Sequence, residues 1–198
     1  MKTDVIDALA GIAPGSALDK ARDNRPEARK HAQASYDALF APKEFGSFSA
    51  LERFAVATFV AGLHGRPEMK EFYEGKLAAA GASPELRVTI AGEVVESRAH
   101  GPYGNYPAGP LSIENTDGLV YVAAPTPRHV LGERLAAAFE HTHMLVFHPR
   151  DAAPPSLQAL LDAGWSTTDI VTLSQLVSFL AFQIRVVAGL RVLNARAA

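Results

Sequence analysis

The chain has 198 residues, 19 basic against 21 acidic side chains, and no cysteine. That length suits one domain able to bury about 70% of the surface its unfolded chain exposes, with no metal or disulfide staple required. The balanced charge leaves no electrostatic footprint for nucleic acid, and the missing cysteine excludes disulfides, thiolate metal sites and thiol catalysis.

The first residues, MKTDVIDALAGIAP, place acids inside a short apolar run and lack a basic segment before a long hydrophobic one, so a cytoplasmic location is expected. Residues 1–46 read as an N-terminal arm of two or three short helices, broken at Pro14-Gly15, Asn24-Arg25-Pro26 and Pro42. Pro26 suits the first position of a helix to Phe40, with Ala32, Tyr36, Leu39 and Phe40 on one face.

Residues 47–198 read as one compact helical domain. Ser49 and Glu52 form a capping box that starts a widely apolar helix ending at Gly65. Pro67 opens the next helix, which Gly81 stops. Ser83-Pro84 then starts a segment, LRVTIAGEVVE, whose β-branched residues make a strand the competitor to a helix. Residues 99–118 hold four glycines, three prolines and two tyrosines, a loop length associated with lids, oligomer arms or disorder. Within it Tyr103 and Tyr106 read as interface anchors rather than catalytic donors.

After a brief extended run, LVYVAA, Thr126-Pro127 launches a helix that Pro149 ends. It carries His141 and His143, with His148 in its last turn. On a helix 141 and 148 nearly share a face while 143 points away, so no three-histidine metal site is expected, and neither metal nor cofactor is implied.

Pro154-Pro155 opens a short helix closed by Gly164, and Ser166 with Asp169 caps the start of the longest apolar run. From Ile170 to Leu190 its apolar residues cover more than one face, which predicts a central helix buried in the bundle or at a subunit contact. Its polar members, including Gln175, Gln183 and Arg185, argue against a membrane span. A buried Arg185 would need a partner, and Glu52 is the expected one.

The stretch LQALLDAGWSTTDIVTLSQLVSFLAFQIRVVAGLRVL has a short helix ending in Ala-Gly, a capped turn, and a long helix ending in Arg185, Gly189 and Leu190. It resembles the C-terminal helices of the carboxymuconolactone decarboxylase and alkylhydroperoxidase D-like superfamily. ALERFAVATFVAGLHG resembles the helix preceding that superfamily's redox motif, so the resemblance spans roughly residues 49–193. It implies an all-α helical bundle and a homo-oligomer.

The resemblance also implies chemistry that these residues lack. Peroxidases of the superfamily place a glutamate about twelve residues ahead of a Cys-x-x-Cys pair, followed by a histidine, so that a thiolate can form and exchange protons. Here those positions fall on Phe54, Arg66, Met69 and Tyr73. Thiol peroxidase chemistry is therefore excluded for this chain.

Three functions remain open. A redox-inactive protein could serve as a structural or small-ligand-binding subunit, with Gln183, Arg185 and His141 as candidate ligand contacts. A lactone-decarboxylase type of enzyme could use His64, Arg66 and Tyr73 for proton transfer and anion binding, which requires the three to meet at one enclosed cavity. A third role is as the partner of a cysteine-bearing paralogue.

Overall fold

The computed structural model describes residues 4–197, and among them the chain is all-α, with no strand. Nine helices follow in order: α1 (Val5–Ala10), α2 (Ala17–Asp23), α3 (Pro26–Phe40), α4 (Ala50–Leu63), α5 (Pro67–Ala79), α6 (Pro84–Glu96), α7 (Pro125–Phe147), α8 (Pro154–Asp162) and α9 (Thr167–Ala197). Their starts are local chemistry. Ser49 and Glu52 complete both halves of the capping box, and Ser83 Oγ accepts from Leu86 N. Proline occupies the first turn of α3, α5, α6, α7 and α8, where a missing N–H costs nothing. The segment LRVTIAGEVVE is helical because cap and proline set its start; its β-branched Val88 and Val95 simply face solvent. α7 begins at Pro125 rather than Thr126 and is broken at Gly132, whose φ of 74° lies in the left-handed region.

The helix at the centre is α4, a correction to the expectation for α9. From Ala55 to Leu63 every residue of α4 is buried, with α5, α6, α7 and α9 packed around it. Gly62 permits the approach of α6, since a Cβ there would lie 2.5 Å from Val94 Cγ2. Phe59 stacks on Phe139 of α7 at 4.2 Å, and Phe48 meets Trp165 edge-on at 4.9 Å. α9 instead buries one face, with Leu173, Leu176, Leu180 and Val187 fully enclosed, and leaves another open. Val171, Gln175, Ser178, Phe182, Arg185 and Val192 recur at helical spacing as an exposed stripe. Thr167–Arg196 is long and apolar enough to cross a membrane, with a mean hydropathy of 1.8 in its most apolar window, 39% of which is buried. Core helices of soluble proteins meet the same measure, so it does not assign α9 to lipid.

The N-terminal helices share the core through Val5, Ile6, Leu39 and Phe40. They are also fastened electrostatically: Arg29 bridges Asp19 at 2.8 Å and Asp23 at 2.6 Å and pairs with Asp7, which Arg22 contacts as well. On the far side Asn194 Nδ2 donates to Gly11 O at 2.9 Å.

The buried arginine is Arg53, not Arg185. Arg185 is exposed and donates to Ala181 O of its own helix, while Glu52 accepts from Arg134 Nε at 2.7 Å, so the expected Glu52–Arg185 pair does not form. Arg53 donates from Nε to Phe48 O at 2.9 Å, from Nη1 to Leu39 O at 2.7 Å, and from Nη2 to Phe45 O at 3.2 Å. Its guanidinium also lies over the Phe48 ring. Arg53→Met would strip three carbonyls of their donor. The expected cost is about 3 kcal/mol or more, a fall of roughly 6–12 °C in melting temperature, against no more than about 0.5 kcal/mol for Arg185→Met. Equal melting curves for the two variants would refute the assignment.

Candidate functional site

The α4 helix ends in a cleft. His64 sits at its C-cap, where the chain turns through Gly65 into α5, and the imidazole is half-buried with Nε2 lacking a hydrogen-bond partner. It lines a groove of about 910 Å³ bounded by α7, α9 and the start of the 99–118 loop. Leu63, Leu145, Val146, Val177 and Phe182 supply apolar wall, while His64, His100 and Arg185 supply the ionisable groups. No acidic residue lines it. An adjoining recess adds Arg98 and, again, no acid. Arg185, read from the sequence as a candidate ligand contact and, if buried, as the partner of Glu52, stands on the exposed edge of α9 in the lining of this groove.

The electrostatics follow from that arrangement. Burial, then the positive charges of Arg185 and Arg66, press the His64 pKa down to about 4, so the imidazole is neutral at pH 7. A cationic rim beside an apolar wall favours an anion, whose charge would offset the repulsion among Arg185, Arg66 and a protonated His64.

The other expected site residues lie elsewhere. Arg66 is exposed at the N-cap of α5, near enough to act on His64 but outside the groove lining. Tyr73, one and a half turns into α5, is fully buried and donates its hydroxyl to Gln183 Oε1 of α9. It packs between Phe40 and Phe72, at 5.4 and 5.0 Å. His64, Arg66 and Tyr73 therefore do not converge on one enclosed cavity: the turn at Gly65 swings α5 back along α4, sending Tyr73 into the core and Arg66 to the surface. Gln183, expected as a ligand contact, is equally buried and serves Tyr73. Phe54 stacks on Phe40 at 5.2 Å, and Met69 is fully buried, so both positions are packing positions.

The 99–118 loop is ordered against the bundle by its own residues. Tyr103 is buried, donates to Leu119 O and stacks on His148, while Tyr106 lies under Arg150 at 4.2 Å. Buried Tyr103 is therefore not the interface anchor expected from the sequence. His141 lies in a separate cavity beyond α7. Among the described residues no group of three metal-capable side chains comes together. Compared with protein-family models, curated proteins and solved structures, the chain finds no match.

His143 is also pushed down to about 4, chiefly by burial. Both imidazoles thus bind fewer protons in the folded chain than at their ordinary value near 6.5 in the unfolded one. Stability is fully present above about pH 6.5 and falls as the pH drops toward 4, because the unfolded state takes up protons that the folded state refuses. The melting temperature should decline between pH 7 and pH 5, and His64→Gln and His143→Gln should each flatten that slope. A double variant that keeps the full slope would show that neither group is responsible.

Proposed function

We propose that the protein is a redox-inactive helical subunit of the alkylhydroperoxidase D-like type that binds a small apolar carboxylate in the His64 groove. The observation that carries this reading is the groove's one-sided charge: His64, His100 and Arg185 line it, hydrocarbon forms much of the rest, and no carboxylate faces the ligand. A medium-chain carboxylate satisfies both halves, its head near Arg185 and its chain on Leu145, Val177 and Phe182. The order of helices around α4, buried throughout from Ala55 to Leu63, followed by a long apolar C-terminal helix, is what supports the scaffold assignment.

Assembly belongs to the same proposal. The exposed stripe of α9 borders the groove, because Ser178, Phe182 and Arg185 stand in both. A second copy of the chain seated along α9 buries Val171 and Val192 and shelters the ligand. A cysteine-bearing paralogue in that position is the alternative occupant, and co-expression distinguishes the two by the composition of the purified complex.

Titration calorimetry with octanoate and with 1-octanol tests the ligand class. Octanoate is expected to bind at least tenfold more tightly than octanol, and Arg185→Gln to weaken octanoate by about tenfold, near 1.4 kcal/mol, with octanol unaffected. A bound carboxylate raises the His64 pKa, so binding takes up a proton and octanoate affinity should rise as the pH falls from 7 to 6, where octanoate stays ionised. Equal affinities for acid and alcohol would overturn the carboxylate reading. For the assembly, light scattering should show more than one chain per particle. Val171→Glu with Val192→Glu should lower that mass while leaving the melting curve cooperative; an unaltered mass would remove α9 as the contact.

A further inference from the structure

A second cavity, of about 400 Å³, lies between α7, α8 and the extended residues 120–122. Its apolar wall includes Val120, Ala137 and Met144, and two histidines more than nine-tenths buried line it, His141 and His148. The sequence places His148 in the last turn of a helix, but the structure ends the helix at Phe147. His148 has φ −141°, outside helical geometry, and Pro149 begins a short 3-10 turn that brings Asp151 back beneath the ring.

The hydrogen-bond inventory assigns the tautomers. His148 Nδ1 lies 3.0 Å from Asp151 Oδ2, and a carboxylate only accepts, so Nδ1 carries the proton. With the proton on Nδ1 alone, Nε2 is a lone pair, buried and without a partner. Asp151 is itself fixed: its Oδ1 accepts from Asn105 N at 2.7 Å, and the backbone at Gly104 comes so close that a Cβ would lie 2.5 Å from Oδ2. Stacking on Tyr103 at 5.0 Å holds the imidazole plane.

His141 reaches the same condition by another route. Its Nε2 lies 3.5 Å from Ser174 Oγ, whose own proton goes to Ile170 O at 2.9 Å. The serine oxygen is left to accept, the His141 proton sits on Nε2, and Nδ1 is a buried lone pair without a partner. Burial lowers the His141 pKa and keeps this ring neutral. Apart from the Ser156 hydroxyl, the remaining polar walls do not donate either. The Tyr121 hydroxyl is spent on Glu93, and Glu140 accepts from Ala123 N at 3.0 Å and from Arg128. With Glu140 and Asp151 both in the lining, an anionic ligand is repelled.

Two buried acceptors in an apolar, anion-repelling cavity call for a ligand that brings its own donors and no negative charge. We propose that this cavity is a second binding site, for a small uncharged phenol or alcohol whose hydroxyl donates to His148 Nε2, with His141 lining the site beside it. Asp151 is its positioning residue: it fixes the His148 tautomer that leaves Nε2 free to accept.

Histidine-labelled protein read by proton–carbon NMR, with 4-methylphenol, toluene and 4-methylbenzoate as probes, tests the site. 4-Methylphenol should shift the His141 and His148 ring signals saturably and leave exposed His31 in place. Toluene and 4-methylbenzoate should bind at least tenfold more weakly, since neither both offers a donor and escapes the acidic lining. Asp151→Asn should weaken the phenol several-fold, because an amide no longer requires the proton on Nδ1. His148→Gln, which retains an acceptor, should keep more affinity than His148→Phe. Toluene binding as tightly as the phenol, absence of shifts at millimolar phenol, or zinc chloride displacing the phenol through the two lone pairs would each overturn the proposal. Failure here leaves the octanoate result untouched, because the two cavities are lined by different residues.

Discussion

The enclosure of α4 is the constraint on which the rest of the bundle depends. A helix with no solvent face from Ala55 to Leu63 has to be surrounded, and α5, α6, α7 and α9 are arranged to do it. Thr58 fits only because its hydroxyl turns back to Phe54 O at 2.9 Å, leaving no unmet polar group in the middle of the helix. Arg53 is admitted at the N-terminal end on the same condition. Its three carbonyl partners all come from the segment between Leu39 and Phe48, so one guanidinium ties the N-terminal helices to the central one. The removal of α4 from water also decides where a ligand can reach it: only its C-terminal end, at Leu63 and His64, opens onto a cleft.

The two cavities divide the charge of the molecule between them. The His64 groove has Arg185 and no acid in its lining, whereas the His148 cavity has Glu140 and Asp151 and no arginine or lysine. They are nevertheless neighbours along the chain. Gly101, Pro102 and Phe147 line the first, while two and three residues further on Gly104 and Asn105 hold Asp151 for the second. The 99–118 loop therefore buttresses both sites, with buried Tyr103 stacked between Phe147 and His148 as the joint. This gives a physical reason for a loop so rich in glycine and proline. It follows two surfaces at close range, and at Gly104 a side chain would collide with the carboxylate it positions.

What could be read from the sequence was what is decided locally. Ser49 with Glu52, Ser83 before Pro84 and the prolines of the first turns act within four residues, so the helices and their starts were legible, and with them the all-α class. Burial was not, because α4 and α9 are both apolar on several sides and nothing in either says which will be surrounded. Arg53 and Arg185 show the same limit: each is an arginine in an apolar helix, and only tertiary packing gives one three carbonyls and the other solvent. The candidate site was legible in part. His64 and Arg185 were singled out for different reasons and meet at one groove, but Tyr73 and Gln183 belong to the core. The His148–Asp151 pair was missed because helical periodicity was carried one residue too far. The signal was present in His148-Pro149, since a proline pushes the residue before it out of helical geometry.

Four histidines end with a buried ring nitrogen that has no partner: His64, His141, His143 and His148. Leaving a polar atom in that state costs about 1–3 kcal/mol, in a domain whose whole stability is of the order of 5–15 kcal/mol. The four are not alike. His143 lines neither cavity described above; its Nε2 meets Ser97 O at 3.0 Å, and the rings of Tyr121, Phe147 and His148 stand within 5.6 Å of its own. Aromatic edges carry partial positive charge, so a lone pair among rings is the least expensive of such placements, and His143 is intelligible as packing. His64 and His141 have no such ring contacts, His148 is stacked on Tyr103 with its Nδ1 held by Asp151, and each of the three lines a cavity. A lone pair that costs stability in the packed chain, on a side chain that lines a space large enough for a molecule, is one that binding can explain. On that ground these three histidines, and not His143, are the ones whose retention binding explains.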